Sequence, residues 1–234
     1  MKAALIWLVA ATMLAGCSPS GRIDAAMTPT EPDAAMTFLA LGDSYTIGEN
    51  VEAAERWPVQ LAAALRAEGI PLADPAIIAR TGWTTADLLA AIEAQYAGEE
   101  YDLVALLIGV NNQYQGLSID QYRSEFRELL RIAVSAAGGH SKRVIVLSIP
   151  DWGFTPFAQP YDQASITEQI DAFNAVALEE SEAAGVRVFD ITPTTRPAVF
   201  DAELFADDGL HPSGKMYALW VNLVLAEIRE LLTK

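Results

Sequence analysis

The 234-residue sequence has one cysteine, Cys17, and two histidines, His140 and His211. A lone cysteine forbids an intrachain disulfide, so the chain must fold on its apolar core alone, which its length permits. There is no Cys pair, no His-Glu-x-x-His and no second histidine near His211, so the common zinc arrangements are excluded and no metal is expected. Basic side chains are few as well: Lys and Arg number 15 against 31 Asp and Glu, a formal charge of −16 with no basic cluster. Long-range attraction to nucleic acid or to anionic headgroups is therefore disfavoured. No Gly-x-Gly-x-x-Gly turn or phosphate loop follows the first apolar strand, so no nucleotide cofactor is expected, and nothing in the sequence requires one of another kind.

What remains is a chain of 52% hydrophobic and 20% charged residues, the composition of one globular domain. Its start is set apart. Lys2 precedes an apolar run from Ala3 to Met13, too short to span a bilayer comfortably. Leu14, Ala15 and Gly16 then lead into Cys17, so the segment resembles a bacterial lipoprotein signal ending in a lipobox. That resemblance implies a diacylglyceryl group on the Cys17 thiol, acylation of the new amino terminus, and a cell-envelope location on the periplasmic face of a bacterial membrane. The alternative is an ordinary secretory signal, or an uncleaved anchor, in which Cys17 is incidental. From Ser18 to about Ala35, Ser, Thr, Gly, Ala and three prolines (Pro19, Pro29, Pro32) show no apolar periodicity, as in a flexible tether. The expected organisation is signal 1–17, tether 18–35 and one folded domain 36–234.

Within the domain, short apolar runs alternate with longer stretches of helical period. Thr37–Leu41, Ala76–Ala79, Leu103–Ile108, Arg143–Ile149 and Val186–Phe189 read as buried parallel strands. Helices are expected over Trp57–Ala67, Thr84–Tyr96, Gln121–Ala137, Thr167–Ala184 and Pro212–Leu232. Pro58 suits a first helical turn, Thr84 with Asp87 a capping box, and Gly185 a helix end. The alternation predicts an α/β fold, a doubly wound sheet of five parallel strands with helices on both faces, whose ligands bind at the carboxyl edge of the strands.

At that edge, directly after the first strand, stands Gly42-Asp43-Ser44. A serine hydroxyl is a weak nucleophile at neutral pH and needs a base, for which imidazole, with an ordinary pKa of about 6.5, is suited. His140 falls between the third long helix and the fourth strand, at the opposite edge of the sheet. His211 precedes the last helix and can return to the edge carrying Ser44, which makes it the better base. Asp208, three residues before it, can accept a hydrogen bond from the imidazole and fix its tautomer. Asp208 can equally serve as a helix cap, and Asp207 competes with it for the imidazole.

Gly42-Asp43-Ser44, Gly82, Gly109-Val110-Asn111 and Asp208-x-x-His211, in this order between about Thr37 and Leu232, resemble the SGNH (GDSL-like) hydrolase family. The resemblance implies its fold, a flavodoxin-like doubly wound sheet. It also implies a catalytic triad of Ser44, Asp208 and His211, with an oxyanion hole formed by the Ser44 and Gly82 backbone N–H groups and the Asn111 amide. Read alone, Gly82 can be a turn glycine and Asn111 a loop cap. Asn112 departs from the family pattern, in which aspartate commonly follows the oxyanion asparagine; altered hydrogen bonding in that loop is expected, with catalysis retained. The implied activity is ester hydrolysis through an acyl-serine, on a small-molecule, glycan or lipid ester. A catalytically silent envelope lipoprotein binding a glycan or acyl ligand is the alternative, and a flavin carrier of the same topology a more distant one. Trp152, Phe154 and Phe157, after the fourth strand, either line an acyl or sugar pocket or anchor their loop to the core; Trp83 and Tyr114 pose the same choice.

Overall fold

The computed structural model describes residues 35–234; the signal segment, Cys17 and nearly all of the tether lie outside the described residues. The order of elements is β1 (Phe38–Gly42), α1 (Ser44–Ile47), α2 (Trp57–Ala67), β2 (Ala76–Ala79), α3 (Thr85–Gln95), β3 (Leu103–Leu107), α4 (Val110–Tyr114), α5 (Ile119–Ala136), β4 (Val144–Leu147), α6 (Gln163–Ala183), β5 (Arg187–Phe189), α7 (Thr192–Thr195) and α8 (Gly214–Thr233). The five strands form one parallel sheet in the order β2-β1-β3-β4-β5. Every residue of β1, β3 and β4 is buried, as strands covered on both faces must be. The edge strands β2 and β5 keep exposed positions.

Chain direction across the sheet reverses between β1 and β3. Right-handed crossovers then put α2 on one face and α3, α5 and α6 on the other, and α8, beyond the last strand, packs against α2, in agreement with which helices touch. Trp57, Leu61 and Leu65 of α2 and Tyr217, Trp220 and Val224 of α8 are buried at helical spacing. On the other face α5 buries Tyr122, Phe126, Leu129, Leu130 and Ala133, each large side chain stabilising the fold by roughly 1.5–3 kcal/mol.

Pro58 sits in the first turn of α2, Thr84 and Asp87 form a reciprocal capping box, and Gly185 takes φ +68° beyond α6. Two helices begin earlier than their apolar period suggests. Asp162 accepts from the N–H groups of Ala164 and Ser165 and starts α6 at Gln163, and Ser118 caps α5 at Ile119. The last helix is capped by Ser213, whose Oγ accepts from Met216 N. That leaves Asp208 free of capping α8.

Candidate active site

The reversal between β1 and β3 opens a crevice at the carboxyl edge of the sheet, where such folds bind ligands. Ser44 opens α1 there, immediately beyond β1. Asp43 Oδ1 accepts from Tyr45 N at 3.0 Å and fixes the turn. The turn is tight enough that a Cβ on Gly42 would collide with Thr46 Oγ1 and the Leu107 carbonyl. Asp43 is fully buried, and that burial pushes its carboxyl up to about 7 against the hydrogen bonds it accepts from backbone N–H groups. As the first residue of a helix, Ser44 has no intrahelical acceptor for its N–H.

After β3 the chain turns at Gly109, with φ +130°. A Cβ there would lie 2.7 Å from the Tyr122 ring and 2.8 Å from Ile149, so glycine is required for the close approach. Two residues on, Asn111 Nδ2 donates to the Trp83 carbonyl at 2.9 Å. One amide hydrogen is thereby held on the loop that carries Gly82, and the other remains to donate. Gly82 itself takes φ +84° in a turn, and the neighbouring Thr81 hydroxyl donates to Glu49.

His211 approaches from the other side. Its Nδ1 lies 2.6 Å from Asp208 Oδ2, while Asp208 Oδ1 accepts from the N–H groups of Leu210 and His211, each at 2.9 Å. Partial burial works to raise the Asp208 carboxyl, but the hydrogen bonds from the His211 side chain and the two backbone N–H groups prevail and hold it below the usual range. The paired Nδ1 leaves Nε2 as the basic nitrogen. Tyr45 meets the imidazole edge to face, with ring centroids 5.9 Å apart. Asp207 is exposed and His140 lies in an exposed loop before β4; it is Asp208 that meets the imidazole.

Ser44, Gly82, Asn111 and His211 all line one cleft of about 190 Å³, together with Val110, Tyr114, Trp152, Phe157 and Leu210. Trp152 is only 4% exposed and its Nε1 donates to Gln113 Oε1 at 2.8 Å, so the ring both anchors its loop and walls the cleft. Phe154 and Trp83 are absent from that lining. The loop is tied down beneath by Asp151, whose fully buried carboxylate accepts from Thr167 Oγ1 and Arg196 Nε. Among the described residues no group of three His, Cys, Asp or Glu side chains is placed to hold a metal ion.

Asn112 departs from the family pattern without leaving a gap. It is fully buried, its Oδ1 accepts from Thr85 N at 3.0 Å, and its Nδ2 donates to Thr85 Oγ1 at 2.7 Å. The Thr85 hydroxyl in turn donates to Glu125. Among the residues touching this site, Asn50 carries no signal in the sequence. Its Nδ2 donates to Asp208 Oδ2 at 2.5 Å across 158 positions of chain, a separation that no local spacing reveals.

A serine at the head of a tight strand-to-helix turn and an Asp-braced imidazole, sharing one cleft with Gly82 and Asn111 at the edge of a five-stranded parallel sheet, are the arrangement of an SGNH-type ester hydrolase. The profile of the GDSL-like lipase/acylhydrolase family matches residues 40–219, and the chain belongs to that family. Similar solved structures include TesA, 21% identical, covering 83% of this chain and 99% of its own with a TM-score of 0.65. A lipase/acylhydrolase from Enterococcus faecalis is 27% identical, covering 83% and 96% with a TM-score of 0.59. The acetylxylan esterase Axe2 from Geobacillus stearothermophilus is 18% identical, covering 82% and 94% with a TM-score of 0.63. A search of curated proteins found no match.

Proposed function

We propose that Ser44 is the nucleophile of a two-step acyl transfer that hydrolyses short-chain carboxylic esters. The Asp208–His211 contact at 2.6 Å, in a cleft shared with Ser44, Gly82 and Asn111, is the observation that carries this reading. His211 Nε2 takes the Ser44 proton as Oγ bonds to the acyl carbon. The resulting oxyanion is held by the N–H groups of Ser44 and Gly82 and by the Asn111 amide, and the imidazolium then protonates the leaving alcohol. Water, activated by the same imidazole, releases the acid. A cleft of about 190 Å³ lined by Val110, Leu210 and Phe157 favours a short acyl group over a long chain.

Hydrolysis of p-nitrophenyl acetate and octanoate by the full-length protein, beside Ser44→Ala and His211→Ala, tests the assignment. Turnover abolished in both folded variants supports it. An absence of turnover and of fluorophosphonate labelling at Ser44 would sink it in favour of a binding protein. The reading includes a lipid tether on Cys17 and an envelope location, supported by the lipobox-like segment. Radiolabelled palmitate incorporated by the native chain but not by Cys17→Ser is the expected result, and equal labelling of the two would remove the tether.

A further inference from the structure

Tyr114 and Trp152, which wall the cleft, also line a second hollow of about 290 Å³, along with Gln113, Tyr161, Asp162, Ser165 and Gln169. The two hollows adjoin at these shared rings, whose centroids lie 5.5 Å apart, but their chemistry differs. In the second, Trp152 Nε1 donates to Gln113 Oε1 at 2.8 Å, Gln113 Nε2 to Gln169 Oε1 at 2.8 Å, and Gln169 Nε2 to Ser165 Oγ at 3.1 Å. The series fixes both amides in orientation and leaves the Ser165 hydroxyl hydrogen and the second Gln169 amide hydrogen to donate outward. Asp162 uses Oδ1 to cap α6, which leaves Oδ2 to accept. The same hollow carries open aromatic surfaces: Tyr114 is 53% and Tyr161 44% exposed, and Tyr161 stacks on Phe157 with centroids 5.7 Å apart.

An acyl chain in this hollow would desolvate Asp162, Gln169 and Ser165 against hydrocarbon without compensation. A polyanion would meet the Asp162 carboxylate on a protein of formal charge −16. A sugar ring satisfies both kinds of lining group, its C–H face lying on a tyrosine while its hydroxyls exchange hydrogen bonds with carboxylate, amide and serine. We propose that this hollow is the subsite for the alcohol half of the substrate, and that the alcohol is a neutral sugar acylated on a hydroxyl. The proposal rests on the esterase reading above. In the first step Ser44 Oγ bonds to the acyl carbon, and collapse of the oxyanion breaks the bond from that carbon to the sugar oxygen; the serine proton passes through His211 to the departing sugar oxygen, and water then frees the acid.

The test compares kcat/KM for acetylated xylobiose with that for p-nitrophenyl acetate in the full-length protein and in Tyr161→Ala and Gln169→Ala, both changes at exposed side chains. The ratio of the two constants should fall about tenfold in each variant, mainly through KM for the sugar ester. A ratio unmoved in both variants overturns the proposal. A fall instead in the octanoate-to-acetate ratio does so too, by assigning the hollow to the acyl chain. A second arm needs no turnover: free xylobiose should change the tryptophan fluorescence of Ser44→Ala saturably, and Tyr161→Ala in that background should weaken the binding. No saturable change overturns the sugar subsite even where p-nitrophenyl acetate is hydrolysed normally. Absence of p-nitrophenyl acetate hydrolysis in the unaltered protein would instead fault the esterase reading, with sugar binding judged by fluorescence.

Discussion

Asn50 Nδ2 donates to Asp208 Oδ2 at 2.5 Å, the same oxygen that lies 2.6 Å from His211 Nδ1. Asn50 adopts φ +61°, the sole positive value at a non-glycine among the described residues, in a region where Asn is among the best tolerated side chains. In the proposed reaction it would be a positioning residue, one step behind the imidazole. Asn50→Gly keeps the backbone conformation open while deleting the donor, and should lower kcat/KM for p-nitrophenyl acetate about five- to tenfold with little loss of stability. Deleting the donor leaves more negative charge on Asp208 Oδ2 to favour a charged imidazole beside it, so the acid limb of the rate profile should move to higher pH. An unchanged acid limb would mean that Asn50 only decorates the loop.

In the proposed reaction Asn111 and Gly82 would hold the oxyanion by different means, and their variants should separate. Asn111→Ala removes a side-chain donor and should reduce kcat on the order of 100-fold with KM little altered. Gly82→Ala has room for the methyl, with nothing within 4 Å of the added carbon. Its φ of +84° is nevertheless disfavoured for alanine, so a stability loss of about 1 kcal/mol and a tilted N–H are expected. Equal kcat for Asn111→Ala and the native protein would remove the amide from the hole.

Much of this architecture is legible in the order of amino acids alone, and the divide follows physical lines. Strands β1, β3 and β4 are buried on both faces, so they stand out as unbroken apolar runs, and β2 is legible in full despite its edge position. The words around Ser44, Gly82, Asn111 and His211 follow strands or precede a helix and keep their order in the chain. Illegible are α1 and α4, of four and five residues, which are too short to show a helical period. Also hidden are contacts between distant parts of the chain: Asn50 with Asp208, Thr85 with Asn112, and the Gln113–Gln169 pairing that shapes the second hollow. Trp152 is visible as an aromatic in an edge loop, but only packing shows that it anchors that loop and walls the cleft together.

The Asn112–Thr85–Glu125 chain explains how an amide replaces the family's usual carboxylate. The Thr85 hydroxyl has one hydrogen, given to Glu125, and accepts from Asn112 Nδ2. Asn112→Asp would set two carboxylates against that one hydrogen in a buried site, at a cost of about 1–3 kcal/mol near neutral pH. Glu125→Gln restores a donor on the far side, so the double variant should recover most of the loss. Thermal or urea unfolding of the four proteins in the cycle measures the coupling; additive losses would disprove the relay.

Asp43 offers the clearest pH dependence, because burial raises its carboxyl from 3.8 to about 7. Between those values the folded protein keeps a proton that the unfolded chain has released, so stability must fall as pH rises through that window. The contribution is complete below pH 3.8 and gone above about 7, with a limiting slope of about 1.4 kcal/mol per pH unit. Asn at this position has no proton to lose and retains an acceptor for Tyr45 N. Asp43→Asn should therefore match the native protein near pH 4 and exceed it increasingly up to about pH 7, beyond which the gain levels off. Unfolding midpoints for the two proteins at pH 4, 5.5, 7 and 8 would show a constant offset if Asp43 were ionised in the folded state throughout that range.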